Sequence, residues 1–281
     1  MQMTRRGLLA TVWATGLAAC AGAPPLSGAT GARGPDATAM AAMIRDRKAS
    51  SAELVEAAIR RSTALQPKLN FLVMDLYEPA RARAREALSG PFAGVPTLVK
   101  DTTAFKGTPT RIGSRATANA PPAVKSAAYL EAFTNTGLVV IGKSQTPEGA
   151  YLPTTEPLAF GPCRNPWDVT RSTAGSSGGA ACAVASGVVP MAHANDGGGS
   201  IRLPAANCGV FGLKPSRGRL IDDRPALPSD IAVQGCVSIS VRDTAALLAA
   251  TEATGAGAQL PPVGLVERGA GRKLKIGLLT K

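Results

Sequence analysis

Ser200 follows three glycines in the run DGGGSIRLPAANCG, which extends from Asp196 to Gly209. Glycine adopts positive φ angles at little cost, so the four backbone N–H groups at 197–200 can form a concave nest. A nest directed at a carbonyl oxygen stabilises the oxyanion of an acyl transfer by several kcal/mol. The run therefore indicates either a serine nucleophile with its oxyanion hole or a tight turn beside a closely packed helix.

A nucleophilic serine needs a group that takes its proton, and the sequence offers two candidates. His193, the one histidine of the chain, lies in the apolar run VVPMAHA at 188–194, where we expect a buried strand and a hydrogen-bonded core histidine. Lys100 follows the apolar run VPTLV at 95–99. A lysine acts as a base only where a dry site lowers its pKa enough to leave the amine neutral. Taken alone, Lys100 fits either such a base or a surface residue at a strand end.

A second serine cluster, STAGSSGG at 172–179, precedes a run of small residues that favours a helix. Ser176 or Ser177 would serve as the helix N-cap, and a glycine-serine loop can also cradle a phosphate group. The cluster lacks the Gly-Lys-Ser/Thr ending of a nucleotide-binding loop, so a nucleotide site has weak support. The residues alone therefore predict the start of a helix.

Apolar strands alternate with helical segments along most of the chain. A capping-box pattern from Ser50 to Glu53 starts the first helix. Apolar spacing and composition predict further helices at 79–88, 124–135, 178–186 and 242–254. They predict strands at 71–74, 94–99, 138–142, 188–194, 211–214 and 275–279. This alternation indicates an α/β fold with a mostly buried sheet core flanked by helices.

The first twenty residues have the features of an export signal. Arg5 and Arg6 precede an uncharged stretch at 7–19, which is shorter than the roughly 20 residues of a transmembrane helix. The arginine pair resembles a twin-arginine signal, and LAAC at 17–20 resembles a bacterial lipobox in which Cys20 is acylated. The alternative is a plain secretory signal in which Cys20 has no role. We expect an exported protein, either periplasmic or anchored in the envelope through Cys20.

After the signal at 1–20, the chain divides into a tether and one domain. Residues 21–36 are rich in Ala, Gly, Pro and Ser, as flexible linkers are. Residues 37–281 form the expected domain, which contains a Gly/Pro-rich segment at 255–272. Because the last strand, at 275–279, leads to nothing further, we expect the domain to be the N-terminal portion of a longer one.

Composition argues against two classes of site. The 281 residues carry a formal charge of +12, but their Lys and Arg residues form no run beyond pairs and do not alternate with aromatic residues. Nucleic-acid binding therefore has little support. The cysteines Cys163, Cys182, Cys208 and Cys236 show no C-x-x-C spacing, which argues against a zinc or redox site. Although export permits a disulfide, we expect most of these cysteines to be buried free thiols.

Four stretches of the sequence, in this order, resemble the amidase signature family. They are GVPTLVKD at 94–101, GKSQTPEGAYLPTTEPLAFGPCRNPWD at 142–168, STAGSSGGAACAVASGVVP at 172–190 and NDGGGSIRLPAANCGVFGLKPSRGR at 195–219. The resemblance covers the chain from about residue 51 onward and implies an α/β sheet core flanked by helices. It also implies hydrolysis of carboxamide bonds by a Ser–Ser–Lys triad, with no metal and no organic cofactor.

The resemblance implies a role for each matching residue. Ser200 is the implied nucleophile, Ser176 the bridging serine after a cis peptide bond, and Lys100 the base. The implied oxyanion hole consists of the N–H groups of Gly197, Gly198, Gly199 and Ser200. Asp196 and Arg202 are implied to hold the Ser200 loop by hydrogen bonds or an ion pair.

The expected function is hydrolysis of a small linear or cyclic amide to a carboxylate and ammonia or an amine. Two alternatives stay open: an amidotransferase subunit that acts with a partner on charged tRNA, and an inactive, truncated envelope lipoprotein. The export signal argues against the first, and the intact Lys100, Ser176 and Ser200 argue against the second. Expected partners are the amide substrate, the membrane through Cys20 and a second copy of the chain in a homodimer, with no nucleic acid.

Overall fold

The computed structural model describes residues 34–222, 231–256 and 258–267. In these ranges the helices are α1 (Ala37–Arg45), α2 (Ser51–Leu69), α3 (Tyr77–Arg83), α4 (Ala128–Asn135), α5 (Gly178–Ala185), α6 (Arg202–Cys208) and α7 (Val241–Thr251). The strands are β1 (Leu72–Asp75), β2 (Pro96–Lys100), β3 (Val139–Ser144), β4 (Met191–Asp196), β5 (Phe211–Gly212) and β6 (Val233–Ser238). The chain therefore has the mixed α/β architecture that the sequence predicts.

The strands form two three-stranded sheets that meet at β2 and β4. In the first sheet β3 lies between β1, its antiparallel neighbour, and β2, its parallel neighbour. In the second sheet β6 lies between β4 and β5, and all pairs are antiparallel. Across the junction the Thr97 hydroxyl donates to the Met191 carbonyl at 3.0 Å, and the Lys100 N–H donates to His193 Nδ1 at 3.1 Å. The junction brings Lys100, the last residue of β2, next to the end of β4.

Helix α5 is buried on every side. Its sequence, GGAACAVA, contains no charged side chain, and its residues from Gly178 to Val184 are all buried. A helix without a polar face is stable only inside a core. The packing is too close for a larger residue at Gly179, because a Cβ there would lie 2.6 Å from the Phe71 carbonyl oxygen. Helix α5 therefore fixes the position of the segment before it, which carries Ser176.

The predicted capping box at the start of α2 is confirmed. The Ser50 hydroxyl accepts a hydrogen bond from the Glu53 N–H at 3.2 Å, and the Glu53 carboxylate accepts one from the Ser50 N–H at 2.8 Å. The helix continues through Pro67 and ends at Leu69. The next residue, Asn70, caps it in a left-handed conformation. Two N-terminal donors are thus satisfied by the pair of side chains that the sequence pattern indicates.

Other predicted elements are present with different ends. The helix expected at 79–88 runs from Tyr77 to Arg83. The helix expected at 124–135 begins at Ala128, and the strand expected at 188–194 begins at Met191. Val188 lies instead in the turn that follows α5, where its N–H donates to the Ala183 carbonyl. The strand expected at 275–279 lies outside the described residues, as do Cys20 and the rest of the export signal.

Three elements are not predicted by the sequence patterns: α1, α6 and β6. Helix α1 begins after Asp36, whose carboxylate accepts a hydrogen bond from the Ala39 N–H at 2.9 Å. The helix is rich in alanine, like the expected tether before it, so composition does not distinguish the two segments. Helix α6 contains Pro204, which is compatible with a helix here because it lies in the first turn. Strand β6 contains Gly235, which weakens the strand pattern.

The cysteines in the described ranges are all free and buried, which confirms the expectation of buried thiols. Cys182 lies in the middle of α5, and Cys236 lies on β6. Burial raises the pKa of Cys208 and of Cys236 to about 12, so both thiols stay protonated at neutral pH. Within the described ranges, no helix combines the length and the apolar character needed to cross a membrane.

Candidate active site

Lys100 ends β2 with its side chain completely buried. Burial favours the neutral amine, because a charged group loses its hydration in the protein interior. This desolvation lowers the pKa of Lys100 to about 7, although the negative charge of Asp196 acts in the opposite direction. Among the carboxylates that the structure describes, none forms a salt bridge with Lys100. A substantial fraction of the amine is therefore neutral near physiological pH.

The Lys100 amine is in direct contact with Ser176. Its Nζ lies 2.7 Å from Ser176 Oγ. The peptide bond between Gly175 and Ser176 is cis. Gly175 has no space for a side chain, because a Cβ there would lie 2.8 Å from the carbonyl oxygens of Leu152 and Thr154. The fold thus joins the end of β2 and the segment before α5 by one short hydrogen bond.

Asp196 ends β4 and organises the loop that carries Ser200. Its buried carboxylate accepts hydrogen bonds from the N–H groups of Gly199 at 2.7 Å, Ile201 at 3.1 Å and Arg202 at 3.2 Å. The Arg202 guanidinium also donates through Nε at 2.9 Å and Nη2 at 3.0 Å. Burial alone would raise the pKa of Asp196, but the hydrogen bonds from Arg202 and from the backbone lower it to about 2. The ionised carboxylate therefore fixes the turn that leads into α6.

The N–H groups of the glycine loop differ in availability. The Gly199 N–H is bound to Asp196, so the structure removes Gly199 from the expected oxyanion hole. Position 199 requires a glycine for its backbone conformation, because its φ is +128°. A Cβ at this position would also lie 2.9 Å from Leu203 Cδ1. No group in the described ranges accepts a hydrogen bond from the N–H of Gly197, Gly198 or Ser200. These N–H groups are therefore available as hydrogen-bond donors.

The Ser200 side chain is half-buried, and no described residue forms a hydrogen bond with its hydroxyl. The hydrogen bonds that start at Lys100 therefore stop at Ser176. The loops of the two serines are linked through the backbone, because the Ser177 N–H donates to the Ser200 carbonyl at 3.2 Å. Hydrogen bonds between catalytic groups are often long in unliganded enzymes and shorten when the substrate binds. The contact from Ser176 to Ser200 is the link of the expected triad that the structure does not form.

His193 is a hydrogen-bonded core residue, as the sequence predicts. Its Nδ1 accepts from the Lys100 N–H, so Nε2 carries the proton and donates to Gln234 Oε1 at 3.0 Å. The rings of Tyr129 and Phe133 pack against it at centroid distances of 5.6 and 5.8 Å. Burial lowers the pKa of His193 to about 4. The imidazole is thus neutral at physiological pH, and both ring nitrogens are occupied.

A second buried lysine lies on β3 and has a carboxylate partner. Lys143 Nζ lies 2.7 Å from Asp101 Oδ1, and both side chains are 1% exposed. Lys143 also donates to the Pro109 carbonyl at 2.6 Å. Burial lowers the pKa of Lys143 and raises that of Asp101, while their mutual attraction opposes both shifts. Of these two buried lysines, only Lys100 lacks a carboxylate partner and is suited to accept a proton.

The structure adds Asn195 to the site, a residue that sequence reasoning does not assign. Its Oδ1 lies 2.6 Å from Lys100 Nζ, and its Nδ2 donates to Thr102 Oγ1 at 2.7 Å. The one signal in the sequence is its place directly before Asp196 in the run NDGGGS. Nothing in that spacing shows that the side chain reaches the end of β2, because the two residues are 95 positions apart.

Comparison with known proteins identifies the family. A family model described as Amidase matches residues 53–280. The chain belongs to the amidase signature family. This confirms the resemblance and the fold class inferred from the sequence.

Individual relatives show how far the similarity extends along each chain. The chain is 43% identical to a putative amidase, AmiC, of Mycobacterium leprae, over 88% of this chain and 53% of the relative. It is also 43% identical to the 6-aminohexanoate-cyclic-dimer hydrolase of Paenarthrobacter ureafaciens, over 76% of this chain and 44% of that one. A solved structure of 6-aminohexanoate cyclic dimer hydrolase matches with a TM-score of 0.76 and 40% identity, covering 83% of this chain and 49% of that chain. This chain of the amidase family spans about half the length of the curated relatives it matches.

The Asp196→Asn variant tests the carboxylate that holds the Ser200 loop. The pKa of Asp196 in the folded state, about 2, lies below the value of about 3.9 for an unfolded aspartate, so its ionised form stabilises the fold above about pH 4. We expect the variant to lose about 2 kcal/mol of unfolding free energy at pH 7, measured by urea denaturation. The difference from the unmodified protein should shrink as the pH falls from about 4 toward 2.

Asp168→Asn is the matched control for this measurement. Asp168 is also hydrogen-bonded, but its partners Thr170 and Arg171 lie on the surface. A surface substitution of this kind is expected to change stability by less than about 0.5 kcal/mol. Equal losses in the two variants, or a difference that does not change with pH, would contradict the assignment to Asp196.

Proposed function

We propose that the chain carries the catalytic groups of an amide hydrolase, with Ser200 as nucleophile, Ser176 as proton relay and Lys100 as base. The observation that supports this most is the fully buried Lys100 amine, which lies 2.7 Å from Ser176 Oγ and has no carboxylate partner in the described ranges. A charged lysine is costly in such a place, whereas a neutral one is a base matched to neutral pH. Because the chain belongs to the amidase family, the bonds that we propose it cleaves are amide bonds.

In the proposed acylation step, Ser200 Oγ attacks the carbonyl carbon of the amide. Its proton passes to Ser176 Oγ while Ser176 gives its own proton to the neutral amine of Lys100. A hydroxyl can do both at once, because it donates one hydrogen bond and accepts others. This step needs a contact between Ser176 and Ser200, which we expect to form when the substrate fills the site and orders the Ser200 hydroxyl.

We expect the glycine loop to bind the negative oxygen formed in this step. The N–H groups of Gly197, Gly198 and Ser200 have no other acceptor among the described residues, so they supply the proposed oxyanion hole. When the tetrahedral intermediate collapses, Ser176 donates a proton to the departing amine and is itself reprotonated by Lys100. Water then hydrolyses the acyl-enzyme through the same relay, which regenerates Ser200 and a neutral Lys100.

The proposed substrate is a small linear or cyclic amide. One relative is named a putative amidase and another a hydrolase of a cyclic dimer. These names support a substrate range that includes both linear and cyclic amides. Assembly as a homodimer stays a prediction.

Ser200→Ala and Lys100→Ala test the proposed triad. Loss of the nucleophile or of the base should lower the hydrolysis of simple carboxamides, measured as ammonia release, by about 10⁴-fold or more. Both variants should keep the far-ultraviolet circular dichroism of the unmodified protein, because neither removes a charge pair. Lys100→Ala should also abolish covalent labelling of Ser200 by a fluorophosphonate, since the hydroxyl is no longer activated.

Two substitutions of the same kind serve as controls. Ser186→Ala changes a hydroxyl that bonds only to carbonyl groups at the end of α5, and Lys106→Ala changes an exposed lysine. Both should retain full turnover. Undiminished turnover in Ser200→Ala or in Lys100→Ala would remove the triad from the account, and an unmodified protein that cleaves no carboxamide would contradict the proposed activity.

We also propose that the protein is exported and anchored in the envelope by acylation of Cys20. The support is the sequence alone: a pair of arginines, an uncharged stretch and LAAC, followed by a small-residue tether. A lipid anchor at Cys20 would leave the segment between Cys20 and α1 to separate the folded domain from the membrane surface.

Labelling with radioactive palmitate tests the proposed anchor. The unmodified protein should carry the label and sediment with membranes, whereas Cys20→Ala should carry none and be released from the membrane fraction. Cys236→Ala is the control, because Cys236 is a buried thiol and its loss should leave the label unchanged. Label that persists in Cys20→Ala would contradict acylation at this residue.

A further inference from the structure

Asn195 closes a hydrogen-bond network around the Lys100 amine. Its Oδ1 lies 2.6 Å from Lys100 Nζ, while its Nδ2 donates to Thr102 Oγ1 at 2.7 Å. Its backbone carbonyl accepts a hydrogen bond from the Ser177 hydroxyl at 3.3 Å. In this arrangement the amide oxygen faces the amine and the amide nitrogen faces Thr102, and an amide oxygen only accepts hydrogen bonds. The amine must therefore donate a hydrogen to Asn195.

This fixed acceptor also restricts where the lone pair of the amine points. A neutral amine has two N–H donors and one lone pair. One N–H is taken by Asn195 Oδ1, so the lone pair does not face Asn195 and is one of two groups that can face the Ser176 hydroxyl at 2.7 Å. An amine without such a partner would rotate about its Cε–Nζ bond and present an N–H to Ser176 much of the time.

We propose that Asn195 is a positioning residue, which holds the lone pair of the Lys100 amine toward Ser176. The inference rests on the proposed function, in which Lys100 is the base. Asn195 itself touches neither the nucleophile nor the substrate carbonyl in this account. It acts by orienting the group that takes the proton.

The same fold shows why an amide suits this position better than a carboxylate. Lys143 has the Asp101 carboxylate at 2.7 Å and forms a buried ion pair. Lys100 has the uncharged Asn195 oxygen at 2.6 Å. An anion at that distance favours the charged lysine, whereas an amide orients the amine without adding a charge. Replacing Asn195 by aspartate should therefore turn the base into the partner of an ion pair.

Among the described residues, few other charged or titratable groups lie around Lys100. They are Asp196 and His193 on β4, and the pair of Asp101 and Lys143 with Arg111 beside it. The helices that pack against β2, α2 and α5, direct only uncharged side chains into the core. A carboxylate in place of the amide would be the only one within hydrogen-bonding distance of Lys100 among the described residues.

The test measures the rate at which a fluorophosphonate labels Ser200 as a function of pH. In the unmodified protein the rate should rise with pH around the Lys100 pKa of about 7, because the amine becomes neutral. In Asn195→Asp this rise should move up by at least about one pH unit, so that labelling at pH 7 falls about fivefold or more and recovers at higher pH. Asn119→Asp, which adds the same charge at an exposed loop position, should leave the profile unchanged.

Substitutions at Thr102 test the orientation of the amide without altering its charge. Thr102→Val removes the acceptor that holds the Asn195 amide nitrogen, so the amide can turn and offer a donor to the amine. Labelling should fall severalfold at every pH, with the position of the rise unchanged. Thr102→Ser keeps the hydroxyl and should restore the original rate.

The outcomes separate this inference from the proposed function. If Ser200 is labelled normally but Asn195→Asp keeps the profile of the unmodified protein, the positioning role of Asn195 is wrong and the triad stands. If Asn195→Asp does not fold, the Thr102 pair decides: equal labelling of Thr102→Val and Thr102→Ser overturns the inference. If the unmodified protein shows no labelling of Ser200 at any pH, the proposed function itself fails.

Discussion

Exclusion of water from the Lys100 amine is the constraint on which the site depends. The side chain is completely buried at the end of β2, and its nearest polar partners are a hydroxyl and an amide. A charge in such surroundings loses hydration, and no carboxylate in the described part of the chain forms an ion pair that replaces it. The second buried lysine, Lys143, shows the usual solution, since it pairs with Asp101. The contrast between two buried lysines in one core identifies the one suited to exchange a proton.

Two consecutive residues of β4 hold the two parts of this site, the Lys100 amine and the Ser200 loop. Asn195 faces the amine of Lys100, while Asp196 faces away and holds the loop of Ser200 through three backbone N–H groups and Arg202. Alternation along a strand directs neighbouring side chains to opposite faces, so one strand end can orient the base and the nucleophile separately. Because β4 pairs with β6 along its length, both side chains rest on a rigid element.

The sequence predicts much of this arrangement, for identifiable reasons. The apolar run before Lys100 predicts a buried strand, and the glycines before Ser200 predict a loop that brings backbone N–H groups together. The partners of these residues are not visible in local patterns. Only the family resemblance gives Ser176 its role, and the contact between Lys100 and Asn195 depends on two sheets meeting at β2 and β4. The loss of the Gly199 N–H to Asp196 likewise depends on the final turn of the loop.

The protonation state of Lys100 in the folded protein tests the central claim most directly. Its side-chain nitrogen can be followed by ¹⁵N nuclear magnetic resonance across a pH titration, with the signal assigned by its absence in Lys100→Arg. The account predicts a midpoint near pH 7, as expected for a buried amine without a carboxylate partner. A midpoint near the ordinary lysine value of about 10.4 would show a charged side chain at neutral pH and would contradict the role of Lys100 as a base.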